Sequence, residues 1–496
     1  MLDNLLLGIS TALTPVNLLW CLVGVVLGTV IGLLPGMGSS TGVAILIPLT
    51  LTVEPVTALI MLAGIYYGSQ YGGTITSVLL STPGEAASVV TTLDGYRMAR
   101  QGRAGAALAI AAIGSFAAAI LSLVALAALA PPFAEFALRF GPAENLAVMV
   151  LALVTMVAFS TGSKLRAGAM ACAGVLLACV GVDAGTGEAR YTFGNINLLS
   201  GIPYVEVVIG LFAVGEVLYQ IRVGAARPIR AGFRDLRIRR ADLRDSAGAI
   251  GRGSVIGFLL GCLPGAGSTL ASFIAYGVEK RVSKNSAQFD HGAIQGVAAP
   301  ESANNAAANA NFVPTLTLGI PGGATTAVLL GALTVYGLQP GPLLFAEQPE
   351  LVWGLLVSFF IGNVILLVLN LPLAPLFAQL LRIPYGYLYP IILCTSFVGA
   401  YAIDNNVFSV WLVLVFGVVG YGMKRFGLPM AALVVGVVIG ALFEKALVQT
   451  SAIEDGNLWM VFTRPIAVTI LVLAAALVAG PGLVRRLRRS REEIHV

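Results

Sequence analysis

What most constrains this chain is its supply of apolar runs close to twenty residues long, recurring from one end to the other. A run of that length and polarity is what one helical crossing of a bilayer requires. The candidate helices are 105–130, 144–160, 167–182, 204–220, 350–372, 388–403, 408–424, 428–446 and 460–482. Hydrophobic residues make up 57% of the 496 and charged residues 11%, against about 25% charged in soluble domains. No long polar segment remains that could fold as a separate soluble domain. The sequence therefore reads as an all-α polytopic membrane protein.

Charge then sorts the loops. Most of the basic excess lies in 222–252 and in the tail from Arg485 to Arg491, beside membrane spans, where cytoplasmic loops carry Lys and Arg. This points to membrane lipid as the surroundings and excludes nucleic acid as the expected partner. The basic loops are 94–105, 161–168, 222–252, 279–288, 423–427 and the tail. Walking through the candidate helices puts all of them on one side. Segments 131–143, 183–203, 336–349, 404–407 and 447–458 fall on the other. The C-terminus is then cytoplasmic and the N-terminus periplasmic. The first basic residue is Arg97, so no basic leader precedes the first apolar run and a cleavable signal peptide is not expected. The five cysteines and two histidines show no metal-ligand spacing. No Walker A sequence and no Ser-His-Asp or Cys-His set is present. The chain is not expected to be an enzyme, and no cofactor is expected beyond Na⁺ or H⁺ as a coupling ion.

The apolar runs are interrupted in a duplicated way. "LPGMGSS" (34–40) matches "LPGAGST" (263–269), and "STPGEAAS" (81–88) resembles "GIPGGATT" (319–326). Counted from proline to proline inclusively, the two motifs span 49 residues in one half and 58 in the other. After the first motif, half one carries "TVEP" (52–55) and half two "EKRVSK" (279–284). After the second, half one carries "DGYRMARQGR" (94–103) and half two "YGLQPGP" (336–342). Basic loops of one half thus correspond to non-basic loops of the other, the pattern of an inverted-topology repeat, which secondary transporters commonly use. Duplication without inversion is the weaker alternative. The expected organisation is a first repeat over 1–221, with a hairpin near 18–50, a broken helix near 76–93 and helices over 105–220. A basic cytoplasmic loop follows at 222–252. The second repeat spans 253–446, with a hairpin near 253–278, a broken helix near 313–335 and helices over 350–446. A final span and a basic tail occupy 447–496. The hairpins would be re-entrant, and the whole would divide into a scaffold and a moving transport core.

Non-helical backbone at membrane depth has to be buried in protein or line a wet cavity. Each new helix start exposes amides and a dipole that favour an anion, and glycine lets a ligand approach the backbone. The candidate substrate- and ion-binding residues are Gly36, Gly38, Ser39, Ser40 and Thr41 in the first hairpin, and Gly265, Gly267, Ser268 and Thr269 in the second. Thr82, Pro83 and Gly84 belong to the first break, and Gly319, Pro321, Gly322, Thr325 and Thr326 to the second. Close helix packing is the competing explanation for small residues, but it does not call for proline at duplicated places. Carbonyls released before each break are the hard oxygen ligands that Na⁺ prefers. Asn304 and Asn305, in the polar run "PESANNAAANANFVP", would orient substrate or ion. Glu301 reads equally as a functional buried carboxylate or as a contact at the cytoplasmic surface, and Glu85 equally as functional or as a partner of a helix dipole. Tyr66, Tyr67, Gln70 and Tyr71 read first as core.

The stretches "GLLPGMG", "AGIYYGSQYGGTITSVLLSTPGEAASVVTTLDGYRMARQGRAG", "GVAAPESANNAAANANFVPTLTLGIPGGATTAVLLGAL" and "GLQPGPLLF" resemble the large membrane subunit of the tripartite tricarboxylate transporters, the TctA family. The similarity spans most of 20–450. It implies a bacterial inner-membrane permease for carboxylates such as citrate, a small TctB-like membrane subunit, a periplasmic TctC-like solute-binding protein, and coupling to an ion gradient, Na⁺ being the expected ion. Where the family reads "PEAANNAA", this chain has Ser302 in place of alanine. The alternatives from other classes are an anion channel with the same repeat and a non-transport assembly subunit.

Overall fold

A computed structural model describes residues 2–34, 36–81, 83–160, 162–183, 185–223, 238–380, 385–453 and 456–494. In chain order the helices are α1 (Leu2–Ala12), α2 (Pro15–Gly32), α3 (Gly38–Thr50), α4 (Pro55–Leu80), α5 (Thr91–Met98), α6 (Ala104–Ala137), α7 (Pro142–Phe159) and α8 (Lys164–Ala178). Two short strands, β1 (Gly181–Val182) and β2 (Ala189–Arg190), pair antiparallel before α9 (Tyr204–Val208) and α10 (Gly215–Val223). Then follow α11 (Arg240–Gly261), α12 (Gly267–Val282), α13 (Gln295–Ala310), α14 (Phe312–Leu318), α15 (Ala324–Val335) and α16 (Leu344–Glu347). The last are α17 (Pro349–Leu380), α18 (Tyr385–Asp404), α19 (Val407–Phe426), α20 (Met430–Ile453) and α21 (Pro465–Ile494). Among the described residues seven helices are long and apolar enough to cross a membrane. The protein is an all-α polytopic membrane protein.

Prolines mark several helix starts. α2, α4 and α7 each carry Pro in the first turn, where a missing N–H costs nothing. Thr14 caps α2 by accepting from Asn17 N at 3.3 Å. The expected stop at 130 does not occur, since α6 runs on through Pro131 and Pro132 to Ala137. The expected helix at 460–482 begins later, at Pro465, after a 3₁₀ turn over Leu458–Thr463.

The chain divides into two compact units, Met1–Glu135 with Tyr204–Gly427, and Phe136–Pro203 with Leu428–Val496. Each takes elements from both halves of the sequence. The smaller unit packs α7 and α8 against α20, with Gly174 of α8 and Gly436 of α20 each facing the other helix's backbone. Its loop after α8 is pinned by Arg190, which pairs with Asp183 at 2.7 Å and with Glu444.

The larger unit contains both duplicated motifs, and it builds them the same way. Gly24, Gly28 and Gly32 of α2 lie against the backbone of Met61, Ile65 and Ser69 of α4. Gly253, Gly257 and Gly261 of α11 lie against Ala299, Ala303 and Ala307 of α13. The glycines correspond at a constant offset of 229 and their partners at 238. Glycine every fourth residue keeps one helix face bare, so the two backbones approach closely. After each bare face the helix stops, and the chain turns through two glycines with positive φ. These are Gly36 (83°) and Gly38 (64°) in half one, and Gly265 (75°) and Gly267 (65°) in half two. The second motif also repeats its backbone, because left-handed Ser81 (φ 57°) ends α4 and left-handed Gly319 (φ 70°) ends α14.

Candidate functional site

The four breaks meet inside the larger unit. Gly38 N donates to Gly84 O at 3.1 Å, which joins the first hairpin to its own break. Gly84 is buried so closely on Gly32 that a Cβ there would strike the Gly32 carbonyl. Ser39 Oγ and Ser40 Oγ lie 2.7 and 3.0 Å from Thr325 Oγ1, joining the first hairpin to the second break. A Cβ on Gly323 would stand 3.5 Å from Gly267 Cα, which places the second break beside the second hairpin. The 3₁₀ turn Ala86–Val89, just past the first break, packs on α12. Hairpin residues and break residues that the sequence places up to 286 positions apart thus surround one another.

The individual candidates take different places in this arrangement. Thr41 is turned away, donating to Phe212 O at 3.1 Å in the π-helical segment Ile209–Val214; widened turns of this kind recur at functional sites. Thr326 caps α15, accepting from Gly323 N at 3.0 Å. Pro321 and Gly322 are buried, with Gly322 N donating to Thr315 Oγ1 at 3.3 Å. Ser268 is buried, whereas Gly265, Gly267 and Thr269 keep partial exposure, as does Pro83. Thr82 lies outside the described residues.

The two helix starts differ in one decisive respect. Glu85 Oε2 accepts from Ser39 N at 2.5 Å, so a carboxylate of the chain itself sits on the first turn of α3. This charge-assisted bond fills the anion position that the dipole and free amides create. When the second motif is aligned half to half, Glu85 corresponds to Gly323. At α12 the N-cap residue, Ala266, has no side chain that could cap the helix. Beside Gly323 lies Asn311, whose Nδ2 donates to Tyr66 OH at 3.1 Å and whose Oδ1 is buried without a partner among the described residues.

A second polar group lies between α4 and α13. The two helices run antiparallel, since Thr74 contacts Glu301 and Tyr66 contacts Asn311. At the 238 offset Tyr66, Tyr67 and Tyr71 of α4 correspond to Asn304, Asn305 and Asn309 of α13. Buried polar atoms at both sets go unpaired among the described residues: Tyr67 OH and Tyr71 OH on one side, both amide atoms of Asn304 and the Oδ1 of Asn305 and Asn309 on the other. Buried polar atoms of this kind normally find a partner, often water or an ion. Asn305 Nδ2 is already committed to Ser115 Oγ at 2.7 Å, and Asn309 Nδ2 to Ser122 Oγ at 2.8 Å, both on α6. Asn304 and Asn305 therefore stand on α13, in this group, and the group adjoins the second hairpin and break through Tyr66, which bonds Asn311 beside Gly323.

Three residues at the first hairpin escaped sequence reasoning. The Gly36 carbonyl accepts from Lys424 Nζ of α19 at 3.4 Å, and Lys424 also pairs with Glu216 of α10. A Cβ on Gly36 would press on Glu216 and Gln220. The basic run at 423–427 offered Lys424 only as a loop charge. Nothing local tied it to a glycine 388 positions away.

Glycine-broken helices, built twice on one plan and packed against one another inside a bundle, mark a multi-pass membrane protein with the duplicated, interrupted helices common among transporters. The sequence profile of the Tripartite tricarboxylate transporter TctA family matches residues 18–435, and the chain belongs to that family, a component of tripartite transport systems. An Agrobacterium vitis protein described as the uncharacterized 52.8 kDa protein in the TAR-I ttuC' 3'region is 45% identical over 497 residues, covering 100% of this chain and 99% of the relative. A second A. vitis protein, described as uncharacterized and in the TAR-II ttuC' 3'region, is 45% identical over 240 residues, 48% of this chain and 99% of its own length. No solved structure matches.

Proposed function

We propose that the chain is the permease subunit of a secondary active transporter that imports tricarboxylates or related carboxylates across a bacterial inner membrane. An ion gradient, of Na⁺ or H⁺, drives it. Its partners are a small membrane subunit and a periplasmic solute-binding protein. The two repeats are inverted, and the substrate carboxylate is held at the second hairpin and second break by the first turns of α12 and α15.

The observation that carries this reading is the pairing of Glu85 with the α3 start against glycine at the aligned position of the other half. The chain supplies its own carboxylate at one helix start and leaves the other for a carboxylate from outside. Asn311, with an unpaired Oδ1 beside Gly323, adds an adaptable polar contact.

Gly323 provides the test. Its backbone is extended (φ −164°), so other residues fit there, and a Cβ would make only ordinary contacts at 3.4 and 3.5 Å. Gly323→Glu should place a carboxylate on α12 as Glu85 does on α3, and uptake of labelled citrate or related carboxylates should fall roughly 30–100-fold, the weight of one or two charge-assisted hydrogen bonds. Gly323→Ala should stay within a few-fold of the parent. The measurement is uptake into proteoliposomes holding the full set of subunits, with and without a Na⁺ gradient. Normal uptake by Gly323→Glu would remove the carboxylate from this position.

A further inference from the structure

Glu301 lies in α13, 1% exposed, with no place in the anion site described above. Its Oε1 accepts from Thr91 Oγ1 at 2.5 Å and its Oε2 from Thr74 Oγ1 at 2.6 Å. Among the described residues no Lys or Arg pairs with it. A recess opens beside it, lined by Tyr71, Thr74, Ile75, Leu108 and Ser115. A lone carboxylate buried this completely is costly to keep ionised without a countercharge.

The groups around it are few. From α4 comes Tyr71, whose hydroxyl has no partner among the described residues. From α5, Asp94 is occupied by Tyr276 OH at 2.9 Å and by the amides of Gly292 and Ala293 at 2.8 and 3.0 Å. From α11, Arg252 is spent on Glu279 of α12, at 2.7 and 2.8 Å. From α6 the residues facing the recess are Leu108, Ala111, Ala112 and Ser115, none of them charged.

Thr74 gives the carboxyl group two equally complete hydrogen-bond states. Its Oγ1 is also 3.2 Å from Gln70 O. With Glu301 ionised, the Thr74 proton points to Glu301 Oε2. With Glu301 protonated, Oε2–H donates to Thr74 Oγ1, and the Thr74 proton turns to Gln70 O. Thr91 keeps donating to Oε1 throughout. One proton is bound, one hydroxyl rotates, and no heavy atom has to move.

From this geometry we propose that Glu301 is a proton-carrying site of the transport cycle, loaded and emptied through the recess beside Tyr71, with Thr74 as its positioning residue. This deepens, and rests on, the reading of the chain as an ion-coupled carboxylate transporter.

Glu301→Gln mimics the protonated form, keeping an acceptor for Thr91 and a donor for Thr74, so it is expected to fold; monodisperse elution of the purified full chain checks this. Infrared difference spectra of the chain in lipid nanodiscs, between acid and neutral pH, should show a carboxylic-acid C=O band that disappears in Glu301→Gln. Thr74→Val should move that band to higher wavenumber, because the acid loses its acceptor, while Thr74→Ser should leave it in place. Superimposable spectra from the parent and Glu301→Gln, or a band lost on adding Na⁺ at fixed pH, overturn the proposal. In proteoliposomes holding all subunits, an inward proton gradient should accelerate carboxylate uptake by the parent and not by Glu301→Gln. Normal uptake with an unchanged pH response in Glu301→Gln overturns proton coupling at this site and leaves the transport reading standing. A titrating band without carboxylate uptake under any gradient overturns the transport reading and leaves the proton site standing.

Discussion

Tyr276 has a single hydroxyl proton and two carboxylates to serve, Asp94 and Asp290, each at 2.9 Å. Asp290, in the connector between α12 and α13, has a second partner, Lys280 Nζ of α12 at 2.5 Å. Lys280 first, and Tyr276 second, hold the Asp290 carboxyl below the usual carboxylate range. A depressed folded value means that the ionised group stabilises the fold above the unfolded value, near ~3.9, and that this contribution is lost as pH falls through the folded one. The thermal midpoint of the detergent-solubilised protein should therefore drop as pH falls from about 5 to about 3. In Asp290→Asn the drop should be shallower. The residue is left-handed (φ 64°), a conformation that Asn tolerates, so the substitution isolates the charge. Parallel declines in both proteins would show that other carboxylates dominate. The pair is half exposed, and the effect should shrink in high salt.

The helix pairs α2–α4 and α11–α13 depend on glycines that bring backbone onto backbone. At Gly28 and Gly257 an added side chain would meet the partner helix's backbone, which cannot swing aside as a side-chain tip can. Gly28→Val and Gly257→Val should each cost about 1–3 kcal/mol, read as a lower thermal midpoint. Each should also weaken transport, because the hairpin tip is carried at the end of the displaced helix. Gly277 makes the contrast, since it lies inside α12 with nothing within 4 Å of an added Cβ. There Gly277→Ala should raise stability by about 0.5–1 kcal/mol through reduced freedom of the unfolded chain. If both classes of glycine responded alike, close backbone packing would not be what these glycines are for.

Across the whole molecule, large apolar side chains such as Trp411, Leu259 and Val368 stand exposed, as a surface facing lipid hydrocarbon requires. The basic loops carry the proposed orientation in the bilayer. Cysteine placed at Gly185 should react with an impermeant reagent added to spheroplasts, and cysteine placed at Gln288 should react only after the membrane is opened. Protection at 185 together with labelling at 288 would invert the proposed topology.

Hydropathy sufficed to establish an all-α membrane protein, because lipid leaves backbone no partner but itself and forces long apolar helices. The glycine and proline motifs coincide with helix ends at Gly32, Leu80, Gly261 and Leu318, because these residues impose their backbone limits locally. The ends of α6 and α21 were misplaced by several residues, since a helix can continue through proline or beyond the apolar stretch when its neighbours allow it. What the sequence left open was who meets whom. Glu85 was equally a functional group and a dipole partner until Ser39 N was found on its carboxylate. Glu301 was equally a surface contact until its burial and its two threonines were seen. Lys424 was a loop charge until it reached Gly36. Propensity and hydropathy act over one or two turns. These contacts join residues 46, 227 and 388 positions apart, and they depend on how closely glycine-faced helices pack, which only the tertiary structure decides.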